Sequence, residues 1–166
     1  MSDVASTRAF PPYVDLREFI ERCEANGELI RMKGVDWNLE MGALAEIVNH
    51  KRPEAPAVLF EDIPGYPAGM SVLSGATNSS KRLALTLGFP EPVHPLDVVR
   101  DYRNRMKIHK PIAPREVETG PVFEVIDRDD DVNVLKFPVP FLHEEDGGRY
   151  IGTHDFVIMR DPEQNW

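Results

Sequence analysis

The sequence contains a single cysteine, Cys23, among its 166 residues. An internal disulfide is therefore excluded, and the composition suits a reducing cytoplasm. No apolar run approaches the ~20 residues that a membrane-spanning helix needs. The opening MSDVASTRAFPPYV lacks the apolar centre of a secretory signal. Positive charge is also scarce. Lys and Arg number 19 against 28 Asp and Glu, for a formal net charge of −9. That balance argues against nonspecific binding to nucleic acid or to an anionic membrane. Internal repeats and low-complexity segments are absent as well.

What is present is ordinary for a folded chain. Hydrophobic residues make up 42% and charged residues 28%. The length allows one domain, or one small domain and part of another. A domain of that size buries about 70% of its unfolded surface, so a core is feasible.

Residues 1–14 read as a flexible tail. Asp15 then looks like a helix N-cap, with Glu18 at the capping-box position. Leu16, Phe19, Ile20 and Cys23 follow helical spacing, and Gly27 supplies a left-handed stop. Cys23 lies on the apolar face, which favours a small buried hydrophobe over a nucleophile. Residues 28–35 read as a strand with Ile30 and Met32 on one face. Asn38 is placed to cap a second helix that runs to about Asn49. Its apolar face is expected at Glu40, Ala43, Leu44, Ile47 and Val48. His50, Lys51 and Arg52 close it as dipole-compensating cations, or offer an anion site.

Residues 57–60 and 70–73 read as strands joined by a turn-rich loop, a hairpin-like pair. The small-residue stretch 75–80 opens a third helix, residues 81–87, stopped by Gly88. Phosphate binding at its start is one reading. The loop lacks Walker or dinucleotide glycine spacing, which favours Ser79 or Ser80 as a simple N-cap. Pro95 suits the first position of a last helix, through about Lys107, with Leu96, Val99, Arg103 and Met106 on one stripe. Arg100, Arg103, Arg105, Lys107, His109 and Lys110 form a basic cluster, either a solvated face or a surface for an acidic partner.

After the two prolines of residues 110–114 the composition shifts toward strand. Residues 122–126 are a strand candidate. Asp127, Asp129, Asp130 and Asp131 form an acidic turn without EF-hand spacing. In residues 137–166, Pro138 and Pro140 allow extended chain but not a central strand. Gly147 and Gly148 supply a turn, expected at positive φ. Residues 150–159 have strand composition, and residues 161–165 turn composition. His143 sits among Glu144, Glu145 and Asp146 without metal-ligand spacing. His154 and Asp155 are adjacent and would face opposite sides of a strand.

Three stretches carry a resemblance: DLREFIERCEANGELIRMKGVDWNLEMGALAEI, AVLFEDIPGYPAGMSVLSGATNSSKRLALTLG and FPVPFLHEEDGGRYIGTHDFVIMRDPEQNW. In this order they resemble the N-terminal part of the UbiD-like decarboxylases, over roughly residues 15–166. The resemblance implies a reversible, non-oxidative carboxy-lyase acting on aromatic or α,β-unsaturated carboxylic acids. It implies prenylated FMN, held through its phosphate by manganese with potassium nearby. Thr153 matches a position lining the cofactor pocket. The family's metal ligands and its Glu-Arg-Glu network match positions beyond residue 166, so the chain is expected to be truncated before the catalytic motifs and inactive alone.

The expected fold is α+β. Residues 15–112 form a small helix-and-sheet domain. Residues 113–166 begin a split β-barrel flavin-binding domain. The expected partners are the carboxylic acid substrate and the remainder of the enzyme, the complete enzyme being a homo-oligomer; no nucleic acid and no membrane span are expected. The alternative is a non-catalytic subunit or assembly module that docks on a separately encoded catalytic chain.

Overall fold

The structure, a computed structural model, describes residues 13–51, 54–89, 94–152 and 161–164. Among the described residues, four α-helices and three strands follow in this order: α1 (Leu16–Ala25), β1 (Leu29–Lys33), α2 (Glu40–Lys51), β2 (Ala57–Glu61), β3 (Ser71–Ser74), α3 (Ser80–Leu87) and α4 (Pro95–Ile108). The fold class is α+β, as the composition of the segments implies.

The sheet has the order β1-β2-β3. β1 and β2 are parallel, with Leu29 opposite Ala57 and Lys33 opposite Glu61. A parallel pair needs a crossover, and α2 provides it. β2 and β3 are antiparallel, with Val58 opposite Ser74 and Glu61 opposite Ser71, so the hairpin-like pair is present. β2 is central and is buried from Ala57 through Phe60, which explains its continuous apolar run. The main core joins Val35, Met41, Val58, Phe60 and Ile63, flanked by Trp37, Leu44, Val48 and Tyr66. A smaller cluster of Ala84, Phe89 and Val98 holds α4 on α3.

The helix signals near chain punctuation operate as read. The Asp15 carboxylate accepts from the backbone N–H of Arg17 and Glu18. Glu18 reaches back one residue further than a capping box requires, to the N–H of Val14 at 2.7 Å. Gly27 and Gly88 take positive φ at the ends of α1 and α3. Pro95 opens α4.

Several expectations change. Asn38 does not cap α2. Leu39 between them sits at φ 68°, and Asn38 instead bridges Phe141. With the start shifted, the buried face of α2 comprises Met41, Gly42 and Ala45, with Leu44 and Val48 half-buried; Ala43 and Ile47 face out. On α4, Leu96, Val99 and Met106 are exposed. The helix packs through Val98 and through Arg105, whose guanidinium lies 4.3 Å from the Phe89 ring centre. Finally, residues 122–126 form no strand. Pro121–Phe123 is a short 3-10 turn, as are Asp129–Asp131 and Val134–Lys136. A strand needs a neighbour to satisfy its backbone, and none reaches this segment among the described residues. Arg52, at the expected basic end of α2, lies outside the described residues.

Cys23 is 1% exposed, and burial pushes its thiol up to about 11. Near pH 8 only about one thiol in a thousand is then ionised, so the native protein should resist iodoacetamide. Full labelling should appear only when denaturant unfolds α1. Fast labelling of folded protein, followed by mass spectrometry, would show the burial to be wrong.

Candidate functional site

The segment of highest motif density, residues 137–152, is fastened to the N-terminal half at the start of α2. Pro138 and Pro140 lack N–H groups, so only alternate residues can donate along this stretch. The Phe141 N–H donates to the Trp37 carbonyl at 2.9 Å, and the Leu39 N–H donates to the Phe141 carbonyl at 2.7 Å. The left-handed conformation of Leu39 aims that donor, a strained choice for a residue with a Cβ. Gly42 then presents no side chain to the strap. A Cβ built there would lie 2.0 Å from the Leu142 carbonyl oxygen and 2.8 Å from its Cα.

Arg149 closes the other side. Its guanidinium stacks 3.9 Å from the Trp37 ring centre. Its Nε donates to the Val139 carbonyl at 2.6 Å and a terminal nitrogen donates to the Tyr66 hydroxyl at 2.5 Å. One side chain thereby joins the strap to the core through a cation–π contact and two charge-assisted hydrogen bonds. The Tyr150 N–H donates to the Pro140 carbonyl at 3.3 Å. Between them, residues 143–148 turn on His143 and Asp146: the His143 N–H donates to the Asp146 carboxylate at 3.1 Å. Gly147 and Gly148 do not adopt positive φ, unlike the expectation, because this side-chain closure shapes the turn.

A cavity of about 470 Å³ lies between these parts. Met41 and Ala45 of α2, Phe60, and Val72 and Leu73 of β3 give it an apolar floor. Residues 75–78 form one rim, and Pro140, Leu142, Tyr150, Ile151 and Gly152 form the other. Its volume is in the range of small-molecule pockets. Thr153, the residue expected against the cofactor, lies outside the described residues, as do His154 and Asp155. Its neighbour Gly152 lines the cavity rim.

The start of α3 is built differently from an anion site. Ser79 caps it, accepting from the Arg82 N–H at 3.2 Å. The Glu54 carboxylate takes the Ser80 N–H at 3.0 Å and its hydroxyl at 2.8 Å. A protein carboxylate thus fills the place a phosphate would take. Behind it lies a residue the sequence reading missed. Arg82 is 1% exposed. It donates to the Glu28 carboxylate at 2.9 Å, the Ala55 carbonyl at 2.7 Å and the Gly75 carbonyl at 3.0 Å, and also to the Asn78 side chain. Ser79 and Lys81 complete the shell of Glu28, at 3.1 and 3.0 Å. Burial pushes the Arg82 guanidinium below its usual value, and the Glu28 charge opposes that shift. This cluster fixes the 75–78 rim of the cavity.

His143 contacts Glu46 at 2.9 Å and Asp146 at 3.4 Å. Among the described residues no group of three His, Cys, Asp or Glu side chains could hold a metal ion. Asp127 pairs with Lys136, and the acidic turn is exposed. In the basic cluster, Arg105 donates to the Leu87 carbonyl at 2.5 Å while Arg100, Arg103, Lys107, His109 and Lys110 are exposed.

Comparison with known proteins covers both parts of the chain. The profile of the 3-octaprenyl-4-hydroxybenzoate carboxy-lyase N-terminal domain matches residues 20–106. That of the 3-octaprenyl-4-hydroxybenzoate carboxy-lyase Rift-related domain matches residues 115–166. Pyrrole-2-carboxylic acid decarboxylase of Pseudomonas aeruginosa is 40% identical over 163 residues, covering 92% of this chain and 32% of the relative. Phenolic acid decarboxylase of Sedimentibacter hydroxybenzoicus is 35% identical over 156 residues, covering 91% and 31%. The solved structure of vanillic acid decarboxylase from the same organism, in an open form, superposes with a TM-score of 0.72 at 34% identity. It covers 83% of this chain and 30% of that one. The chain spans about a third of the length of the curated relatives it matches. With both profiles matched in order and the fold shared, the chain belongs to the UbiD family of carboxy-lyases.

Proposed function

We propose that this chain is the N-terminal part of a carboxy-lyase that removes carbon dioxide, reversibly and without oxidation, from an aromatic or α,β-unsaturated carboxylic acid. The observation that carries this reading is the match of both family profiles along one chain, with residues 137–152 of the second matched region strapped to α2 of the first. In this reading residues 15–112 are a helix-and-sheet domain and residues 113–166 open the β-rich flavin-binding domain. The complete enzyme is a cytoplasmic homo-oligomer. The absence of a sufficiently long apolar helix among the described residues and the single cysteine are consistent with that location.

The strap's role is positional. Arg149, held by Trp37 and Tyr66, sets the direction in which the chain leaves toward Thr153. Thr153 would then contribute one hydroxyl to the wall of the cofactor pocket. Prenylated FMN, when bound, supplies an acceptor for the electron pair that departing carbon dioxide leaves behind. The described residues offer apolar and backbone surface for a flat ring; manganese and potassium are assigned to the remainder of the enzyme by the family resemblance, which places the metal ligands there. No proton transfer is assigned to this chain.

The assembled enzyme should show a flavin absorbance and release carbon dioxide from pyrrole-2-carboxylate or a cinnamate-type acid. The 18.8 kDa chain alone should do neither. An isolated chain that retained flavin and turned over substrate would overturn the assignment of chemistry to the remainder. In the assembled enzyme, Thr153→Val should raise the flavin concentration needed for half-saturation about five- to tenfold, the worth of one hydrogen bond. Unchanged flavin titration would remove Thr153 from the pocket wall.

A further inference from the structure

Helix α2 has two competing starts. Its first helical bond runs from the Ala43 N–H to the Leu39 carbonyl at 3.0 Å, which puts Leu39 at the N-cap. Leucine has no side-chain acceptor for the free N–H groups that follow. It is also held at φ 68°, a conformation that a residue with a Cβ adopts at a cost. One residue earlier stands Asn38, an exposed residue of the best capping type, which does not cap the helix. What holds the poorer start is the strap. The Leu39 N–H donates to the Phe141 carbonyl at 2.7 Å, and the Phe141 N–H to the Trp37 carbonyl at 2.9 Å. Both bonds are backbone, on either side of Asn38. Leu142 packs on Gly42 beside them. The remaining tie from this part of the strap to α2, His143 to Glu46 at 2.9 Å, is an exposed pair and adds little.

We propose that Leu39 is a two-state switch that gates the cavity. With the strap seated, Leu39 is left-handed and α2 starts at Glu40. With Phe141 and Leu142 released, Leu39 turns right-handed and α2 gains a residue at its start. The Asn38 side chain then accepts from the N–H of Glu40 or Met41 as the cap. The head of α2 has partners in both states, so each is a defined arrangement and not a frayed end. Relief of strain and the new cap offset the two lost strap bonds. The released form is the minor state, at about 0.1–10% of the population. Met41 belongs to the cavity floor and Leu142 to its rim. Release takes Leu142 off the rim and widens the entrance. Arg149, bonded to the Val139 carbonyl at 2.6 Å and stacked on Trp37, keeps the preceding part of the strap in place. The switch needs neither flavin nor substrate, so it stands apart from the carboxy-lyase reading.

Amide exchange of the full chain, resolved at Leu39 and Phe141, tests the switch. The two amides should exchange together, through one opening, and faster than the centre of α2. Asn38→Ala removes the cap of the released state and leaves the backbone bridge intact. Phe141 should then exchange about fivefold more slowly, the worth of one helix cap. Leu39→Asn tolerates positive φ and can itself cap the seated start, so it should slow Phe141 by about tenfold. Simple fraying of the strap predicts no change with Asn38→Ala. An Asn38 side chain that held the strap predicts faster exchange. Either result overturns the proposal, as does exchange of Phe141 at the rate of the centre of α2. Should Leu39→Asn fail to fold, Asn38→Ala, a change at an exposed residue, decides alone.

Discussion

Arg82→Ala should be the most damaging single change in the described chain. It leaves the Glu28 carboxylate, whose side chain is 9% exposed, without its counter-charge. It also removes the donors that meet the Ala55 and Gly75 carbonyls. Breaking one side of a buried ion pair typically costs about 3–5 kcal/mol, against a total stability of about 5–15 kcal/mol for a domain. The expected result is a fall in Tm of roughly 10 °C or more. Arg82→Lys should recover little, because three donors on one nitrogen cannot reach carbonyls on opposite sides of the site. The informative variant is Arg82→Met combined with Glu28→Leu. Removing both charges relieves the desolvation penalty, so the double variant should be more stable than either single change. Thermal melts of the four proteins decide the matter. If Arg82→Ala melts with the exposed control Arg103→Ala, the buried network is not holding the fold.

The reason this pair escaped the sequence reading is distance along the chain. Asp15, Gly27, Ser79, Gly88 and Pro95 act on neighbours within four residues, and their roles were legible from spacing alone. Glu28 and Arg82 are 54 residues apart, and nothing local distinguishes Arg82 from the solvated basic residues of α4. Asn38 shows the same limit in reverse. Its type suited a cap, but Phe141 competes for it, and the start of α2 moved with consequences for the whole buried face. Residues 122–126 show a third limit: their composition suits a strand, yet Pro121–Phe123 is a 3-10 turn. A strand also needs a neighbour for its backbone, and none of the described residues provides one there. Thr153, to which the resemblance points, lies outside the described residues, while Arg149 and Trp37, which fasten the strap, carry no motif of their own. Gly42 did leave a signal: a glycine inside the apolar run MGALAEIV of a helix usually has a packing reason.

That reason yields the second large effect. In an ordinary helix interior Gly→Ala stabilises by about 1 kcal/mol. At Gly42 the new methyl would sit 2.0 Å from the Leu142 carbonyl oxygen, and the obstructing atoms are backbone that cannot rotate away. Overpacking of this kind costs about 1–3 kcal/mol, and here it falls on a strap held by few bonds. The clash outweighs the helix gain, so Gly42→Ala should favour release of residues 139–142 from α2 rather than unfolding of α2 itself. Hydrogen exchange should separate the two. Phe141 and Leu39, whose N–H groups cross between strap and helix, should exchange faster by about tenfold or more, while amides in the centre of α2 keep their protection. Ala43→Gly, one position along on the exposed face, serves as the opposite control: it should loosen α2 and leave the strap in place. On the carboxy-lyase reading proposed above, Gly42→Ala in the assembled enzyme should also lower flavin retention, without touching the residue proposed to contact the cofactor. A variant that melts higher than the parent, with unchanged exchange at Phe141, would show that α2 and the strap do not meet at Gly42.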